Sequence, residues 1–450
     1  MNPKLPMRLL IAPRAAEAAR PPRGSSKVAK QHLLVSAMTL ACGLAGWGPA
    51  TAQSAEAQRI AELERKLELL TQRLAQIEGT RPHVAAEAVE SPRTAALPLA
   101  AAPTLALPTR PTDAGIPIRA FIDVGYAQDS PNRTGRRGGF SLGSVNLYMT
   151  PAIGERIKSI VELVFEQDKR GALMIDLERA QLGYTFSDAL TLWGGRFHTP
   201  FGYWNAAFHH GAQIQTSVLR PRFLAFEDQG GILPSHSVGL LGSGAVALAS
   251  GRLKYDLYVA NGSPIIDGTL FAAGFKDDDG NKMVGGNLRH EFGGALDGLT
   301  LGVFGLGTQV ASYDAGSVLT ARTRLGVGGV FATFERDRWE LLGEYYAFRN
   351  RDLAANGTSH SSWAGYAQAG YRFDNAFTVY GRAEKAALDQ LDPYFAAMDS
   401  GRSYRRQSIG LRYELNPTTA LKFEVARTSE TQGQAELNST GLRSQLAVRF

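Results

Sequence analysis

The side chains of this 450-residue chain that could do chemistry gather most densely in the stretch 198–235. Arg220-Pro221-Arg222 fixes two cations near one another, Glu227-Asp228 supplies two anions, and His209-His210 lies upstream. Opposed fixed charges set across a narrow wet passage create a transverse field that orients a polar solute moving through it. Arg220 and Arg222 form the candidate cationic side of such a constriction, with Glu227, Asp228, His209 and His210 as its other members. A second use is equally open, in which the two arginines only tie the stretch to neighbouring carboxylates. No metal is expected, because adjacent histidines do not share a natural chelating geometry. No spacing around His198, His209 and His210 matches a zinc or facial-triad pattern. Asp277-Asp278-Asp279-Gly280-Asn281 has the composition of a calcium loop, but Phe275 occupies the first ligand position of that register. Gly326-Val327-Gly328-Gly329 lacks the Lys-Ser/Thr of a phosphate-binding loop. No nucleophile elbow or defensible triad is legible, so neither a catalytic residue nor a cofactor is expected.

What would position these residues is a run of strands. From Ile118 to Phe450 no sustained 3.6-residue period appears. Segments of about ten alternating residues recur instead, closed by turn chemistry. Leu253, Tyr255, Leu257 and Val259 oppose Lys254, Asp256 and Tyr258. Ile409, Leu411, Tyr413 and Leu415 oppose Arg412 and Glu414, and Leu442, Leu446, Val448 and Phe450 oppose Arg443, Gln445 and Arg449. Short turns at 187–189, 374–376 and 416–419 alternate with longer polar stretches at 129–137, 261–280, 350–361 and 389–402. Aromatic residues flank the short turns in a weak repeat (Gly183-Tyr184-Thr185-Phe186 and Gly370-Tyr371-Arg372-Phe373), as a membrane-interface belt requires.

The segments before Ile118 are of three other kinds. Residues 1–52 carry seven basic residues and one acid, so the whole formal charge of +6 resides there and the remainder is neutral. A basic stretch, the short apolar run 33–45 and Ala50-Thr51-Ala52 form the three regions of a secretory signal. Its removal would leave no cysteine, and a neutral mature chain gives no basis for nucleic-acid binding. In 53–79, Ile60, Leu63, Leu67, Leu70, Leu74 and Ile77 follow an a/d heptad seam. Arg59 with Glu64, and Arg73 with Glu78, place opposite charges across a parallel interface, in the Arg-h-x-x-h-Glu pattern of trimeric coiled coils. Residues 80–117 are a Pro- and Ala-rich linker, an extended spacer reaching roughly 100 Å at polyproline rise.

Alternation alone does not separate a soluble sandwich from a membrane barrel. The export signal, the lack of cysteine, the short-turn and long-loop rhythm and the chain end favour an all-β transmembrane antiparallel barrel over 118–450. It should have about sixteen strands, preceded by the short trimeric coiled coil. An even strand count puts both ends on the periplasmic side. Arg372, Arg382, Arg412, Lys422 and Arg443 then fall on the presumed lumen face with Glu344, Glu384, Glu414 and Glu424. Facing lipid would cost about 2–4 kcal/mol per cation at the midplane. These cations are candidate pore-wall residues, with mutual pairing that stiffens the wall as the alternative.

The ending Leu446-Ala447-Val448-Arg449-Phe450 resembles the C-terminal signature of Gram-negative outer-membrane barrels, and Gly195-Arg196-Phe197-His198-Thr199-Pro200-Phe201-Gly202 also looks specific. The whole order of coiled coil, spacer and barrel resembles trimeric porins with an N-terminal periplasmic helix. Its barrel looks like the phosphate-selective porin O/P type and the related dicarboxylate porins. That resemblance implies that Phe450 is read by the barrel-insertion machinery. It also implies that the third external loop, 198–235 here, folds inward and narrows the channel. The expectation is a homotrimer in outer-membrane lipid, with its coiled coil in the periplasm, passing small polar or anionic solutes without catalysis. The competing expectations are a structural tether of the envelope and an outer-membrane enzyme such as a lipase.

Overall fold

The computed structural model describes residues 116–450, apart from 132–137, 152, 168–170, 209–210, 272–279, 355–356 and 375. The expected signal, coiled coil and nearly all of the spacer lie outside the described residues, as do His209 and His210.

Strands fill most of what is described. The first group is β1 (Ile118–Ser130), β2 (Gly139–Met149), β3 (Ile157–Gln167), β4 (Leu173–Ser187), β5 (Leu190–His198), β6 (His236–Leu248) and β7 (Gly251–Asn261). Two minimal strands, β8 (Ile265–Ile266) and β9 (Thr269–Leu270), sit in the connection that follows. The wall resumes with β10 (Lys282–Phe292), β11 (Leu299–Tyr313), β12 (Leu319–Arg336), β13 (Trp339–Asp352) and β14 (Ser359–Arg372). It ends with β15 (Phe377–Ala387), β16 (Tyr404–Asn416), β17 (Thr419–Gln432) and β18 (Ala435–Arg449). Every wall strand pairs antiparallel with the next, β7 pairing directly with β10, and β18 returns to pair with β1 from Phe121↔Arg449 to Ser130↔Thr440. Sixteen strands therefore close a barrel with no free edge, the one way a sheet can satisfy its backbone inside lipid.

The side chains are distributed inside out for a soluble protein. Leu240, Leu257 and Ile409 stay 61–64% exposed on the outer face. Glu162, Glu344, Glu384, Glu424, Arg382 and Lys422 are all buried within. Apolar outward and polar inward is stable only where the surrounding solvent is hydrocarbon.

The connections at 150–156, 188–189, 249–250, 293–298, 337–338, 373–376 and 417–418 share one rim, together with both ends of the barrel. Asx chemistry makes the tightest of them. Asp374 Oδ1 accepts from the amides of Ala376 and Phe377 at 2.7 Å, and Asn416 Oδ1 from that of Thr418 at 2.9 Å. Aromatic pairs ring this rim: Tyr184 with Phe186 at 4.8 Å, Trp339 with Tyr371 at 4.8 Å, and Phe377 with Tyr413 at 4.5 Å. The longer connections, including 199–235, 262–281 and 388–403, lie on the other rim. At the seam, Phe450 and Ala120 exchange backbone hydrogen bonds at 2.7 and 2.9 Å, so the terminal residue closes the cylinder.

Candidate functional site

The connection 199–235 leaves the wall between β5 and β6; it contacts nearby β10 and, far around the ring, β13 to β17. In a closed barrel β13 to β17 stand opposite the loop's root, so the loop crosses the lumen. Its neck is tied by Asn205, whose Nδ2 donates to the carbonyls of Thr199 at 2.9 Å and Ser235 at 3.2 Å.

Three buried carboxylates on alternate strands receive the loop. Glu344 on β13 accepts from the amides of Tyr203 at 2.9 Å and Trp204 at 2.7 Å, and from the hydroxyls of Tyr346 at 2.8 Å and Tyr366 at 2.7 Å. Glu384 on β15 accepts from the amide of Arg222 at 2.6 Å. Glu424 on β17 accepts from the amides of Val218 and Leu219, each at 2.9 Å. Three buried cations complement them. Arg382 donates to Leu219 O at 2.8 Å, and Arg412 to the carbonyls of Gln213 and Gln215, both at 2.7 Å. Lys422 donates to the carbonyls of Ala212 and Ser217. A loop that crosses a lumen brings backbone donors and acceptors with no ladder to join. The wall charges supply that ladder, and the loop in turn satisfies charges too costly to bury alone. Apolar packing adds to these bonds: Phe223 meets Tyr346 at 5.1 Å, and Trp204 meets Tyr366 at 5.6 Å.

Among the residues expected to form a constriction, Arg220 is turned back onto its own loop. It donates to Leu224 O at 3.0 Å and Phe208 O at 3.2 Å, and its guanidinium lies 4.0 Å from the Phe226 ring. Burial draws its pKa down to about 10, opposed by Glu227 and Glu178, and it remains a cation at neutral pH. Glu227 is buried against His236 at the loop's foot, and Asp228 is exposed. Arg222 faces open space. Of the five expected wall cations, Arg382, Arg412 and Lys422 lie beneath the loop. Arg372 stands near the short-turn rim, 3.9 Å from Glu335, and Arg443 stands toward the long-loop side, 2.7 Å from Asp129.

The open space is a cavity of about 710 Å³ between the loop, β1 to β2 and β16 to β18. Arg222, Arg406 and Arg443 project into it, with Glu430 and Asp129 as counter-charges. Arg222 pairs with Glu430 and stacks 4.8 Å from the Tyr404 ring centre, and Arg406 lies 3.6 Å from Glu384. Arg406 escaped the sequence reading, although the inward period of β16 that exposes Arg412 also selects it.

A closed cylinder whose third long connection spans its own interior has the architecture of the outer-membrane porins. The chain is similar in fold to an anion-selective porin from Comamonas acidovorans, with a TM-score of 0.51 and 14% identity over 74% of this chain and 99% of that one. It is also similar to outer-membrane expressed OmpT of Vibrio cholerae, with a TM-score of 0.50 and 10% identity over 74% and 97% of the two chains. The outer membrane channel DcaP of Acinetobacter baumannii superposes at 0.49 with 9% identity, over 74% and 97% of the chains. No family model matches this chain, and no curated protein matches it.

Proposed function

We propose that the protein is an outer-membrane porin that lets small polar or anionic solutes diffuse through a water-filled homotrimeric barrel. The observation that carries this reading is the cavity left beside the inserted loop, lined by Arg222, Arg406 and Arg443. These cations stand in a passage, while Glu344, Glu424, Arg382, Arg412 and Lys422 are consumed in holding the loop. Partial neutralisation by Glu430, Asp129 and Glu384 makes the preference for anions weak. Arg220, Glu227, Arg382, Arg412 and Lys422 then act on the aperture by fixing the loop's shape. The trimer rests on the heptad seam of 53–79, and the insertion role of Phe450 on the chain-end pattern. Passage of this kind needs no catalytic group.

Reconstitution in planar bilayers under a salt gradient tests the reading. Stepwise conductance with an anion-leaning reversal potential is expected, and Arg222→Ala/Arg406→Ala/Arg443→Ala should move that potential toward cations. An unchanged potential eliminates the selecting role of the three arginines. Absence of stepwise current eliminates the channel.

A further inference from the structure

We propose that the foot of the lumen-crossing loop is a binding site for a divalent transition cation of the zinc type, held by Glu178, His198 and His236. The site rests on no assumption about conduction. His198 ends β5 and His236 begins β6, and they are direct cross-strand partners, so the two histidines bracket the loop. Glu178 comes from β4. There the pairing with β3 jumps from Glu162↔Arg179 to Leu163↔Leu177, which leaves Glu178 as the extra residue of a β-bulge. Gly195, at φ +127°, breaks the regular alternation of β5, and Arg196, Phe197 and His198 are buried or nearly so in succession.

The three side chains offer one ligand atom each, all within 4.8 Å of one another. A tetrahedral ion with bonds of about 2.1 Å needs its ligands about 3.4 Å apart, so no separation need contract by more than about 1.4 Å. The His236–Glu178 pair, already in contact, must open to admit the ion between them. His236 is already oriented for the task. Its Nδ1 lies 3.2 Å from Glu227 Oε2, and its Nε2 contacts Glu178. A carboxylate on one imidazole nitrogen, with the other aimed at the ion, is the usual outer-shell arrangement of zinc histidines. Phe226 stacks on the His236 ring at 24°. Glu162 stands 3.3 Å from His198 Nε2 and is itself held by Arg179 at 2.5 Å. Three carboxylates (Glu162, Glu178 and Glu227) thus face Arg179 and the two imidazoles, and Arg220 adds a cation beyond Glu227. Two imidazoles with a carboxylate suit zinc, whereas calcium and magnesium prefer oxygen alone. An ion here would clamp β4, β5 and β6 at the loop's root and add two positive charges there.

The test is zinc titration of the full chain in detergent by calorimetry, with Co²⁺ as a spectroscopic probe. One saturable Zn²⁺ per chain is expected, and Co²⁺ should give an intense visible d–d band that Zn²⁺ abolishes. Affinity should fall by more than about 10-fold to 100-fold in Glu178→Gln and in His198→Gln/His236→Gln, because that is the loss typical of removing only an outer-shell partner and these three are the ligands. His209→Gln/His210→Gln should bind as the parent does. No saturable binding, or equal affinity in the double variant, overturns the proposal and leaves a set of histidine–glutamate ion pairs. Should the variants not fold, the Co²⁺ spectrum of the unaltered chain still decides: an octahedral, weakly absorbing, easily exchanged ion refutes it. Conductance plays no part in either readout, so a failed channel and a failed metal site are distinguishable.

Discussion

Glu344→Gln tests whether the wall carboxylates hold the loop. All four partners of Glu344 are donors, two backbone amides and two tyrosine hydroxyls, and they divide evenly between its oxygens. A glutamine keeps the volume but replaces one oxygen with NH₂. In either orientation the amide aims its hydrogens at one backbone N–H and one hydroxyl. The hydroxyl can rotate to accept, but the backbone N–H cannot. One buried amide therefore loses its partner at about 1–3 kcal/mol, and the surviving bonds lose their charge assistance at some tenths to 1 kcal/mol each. Water reaching the site from the lumen offsets part of this, for a net of about 2–4 kcal/mol, or roughly a 30- to 700-fold shift in the loop's opening equilibrium. The barrel ladders are untouched, so the loss is local, not global. Hydrogen exchange at Tyr203 and Trp204 reads it directly, with the amides of β13 as the internal reference. Exchange at those two positions that changes by less than about threefold would refute the idea that Glu344 anchors the loop.

The other expectations share the same assays. Gly202→Ala should also loosen the loop, because Gly202 sits at φ +62° and a Cβ there would collide with Glu344 Oε2 and the Tyr346 hydroxyl; an unaltered exchange pattern would count against that close approach. Arg412→Met should leave the carbonyls of Gln213 and Gln215 without their donor, at about 1–3 kcal/mol each before water compensates, and should raise current noise in bilayers; quiet channels would contradict it. Ile409→Arg, on the outer face near the middle of β16, should cost about 2–4 kcal/mol in refolding into vesicles, and equal refolding yields would place that side chain elsewhere than in lipid.

The period of two revealed the cylinder because a membrane forces every strand to the same rule, and the direction of each wall charge followed from its parity with an exposed Leu, Ile or Val. What those charges do did not follow. Arg382, Arg412 and Lys422 read as channel lining or as mutually paired wall charges because the sequence shows a face, whereas their partners include backbone carbonyls of a loop 163 to 210 residues away in the chain. One signal was available. Glu344, Glu384 and Glu424 recur at equal sequence spacing on every second strand, each buried inside the barrel, and a row of buried carboxylates calls for something rich in N–H to lie against it. The histidine pair was hidden for the opposite reason. Glu178 and His198 join their cluster through a bulge and a positive-φ glycine, two places where alternation fails, so a parity rule that places most of the wall misplaces them. The strands that obey the period build the barrel, and the residues that break it form the foot of the loop, where the chain leaves the wall to cross the lumen.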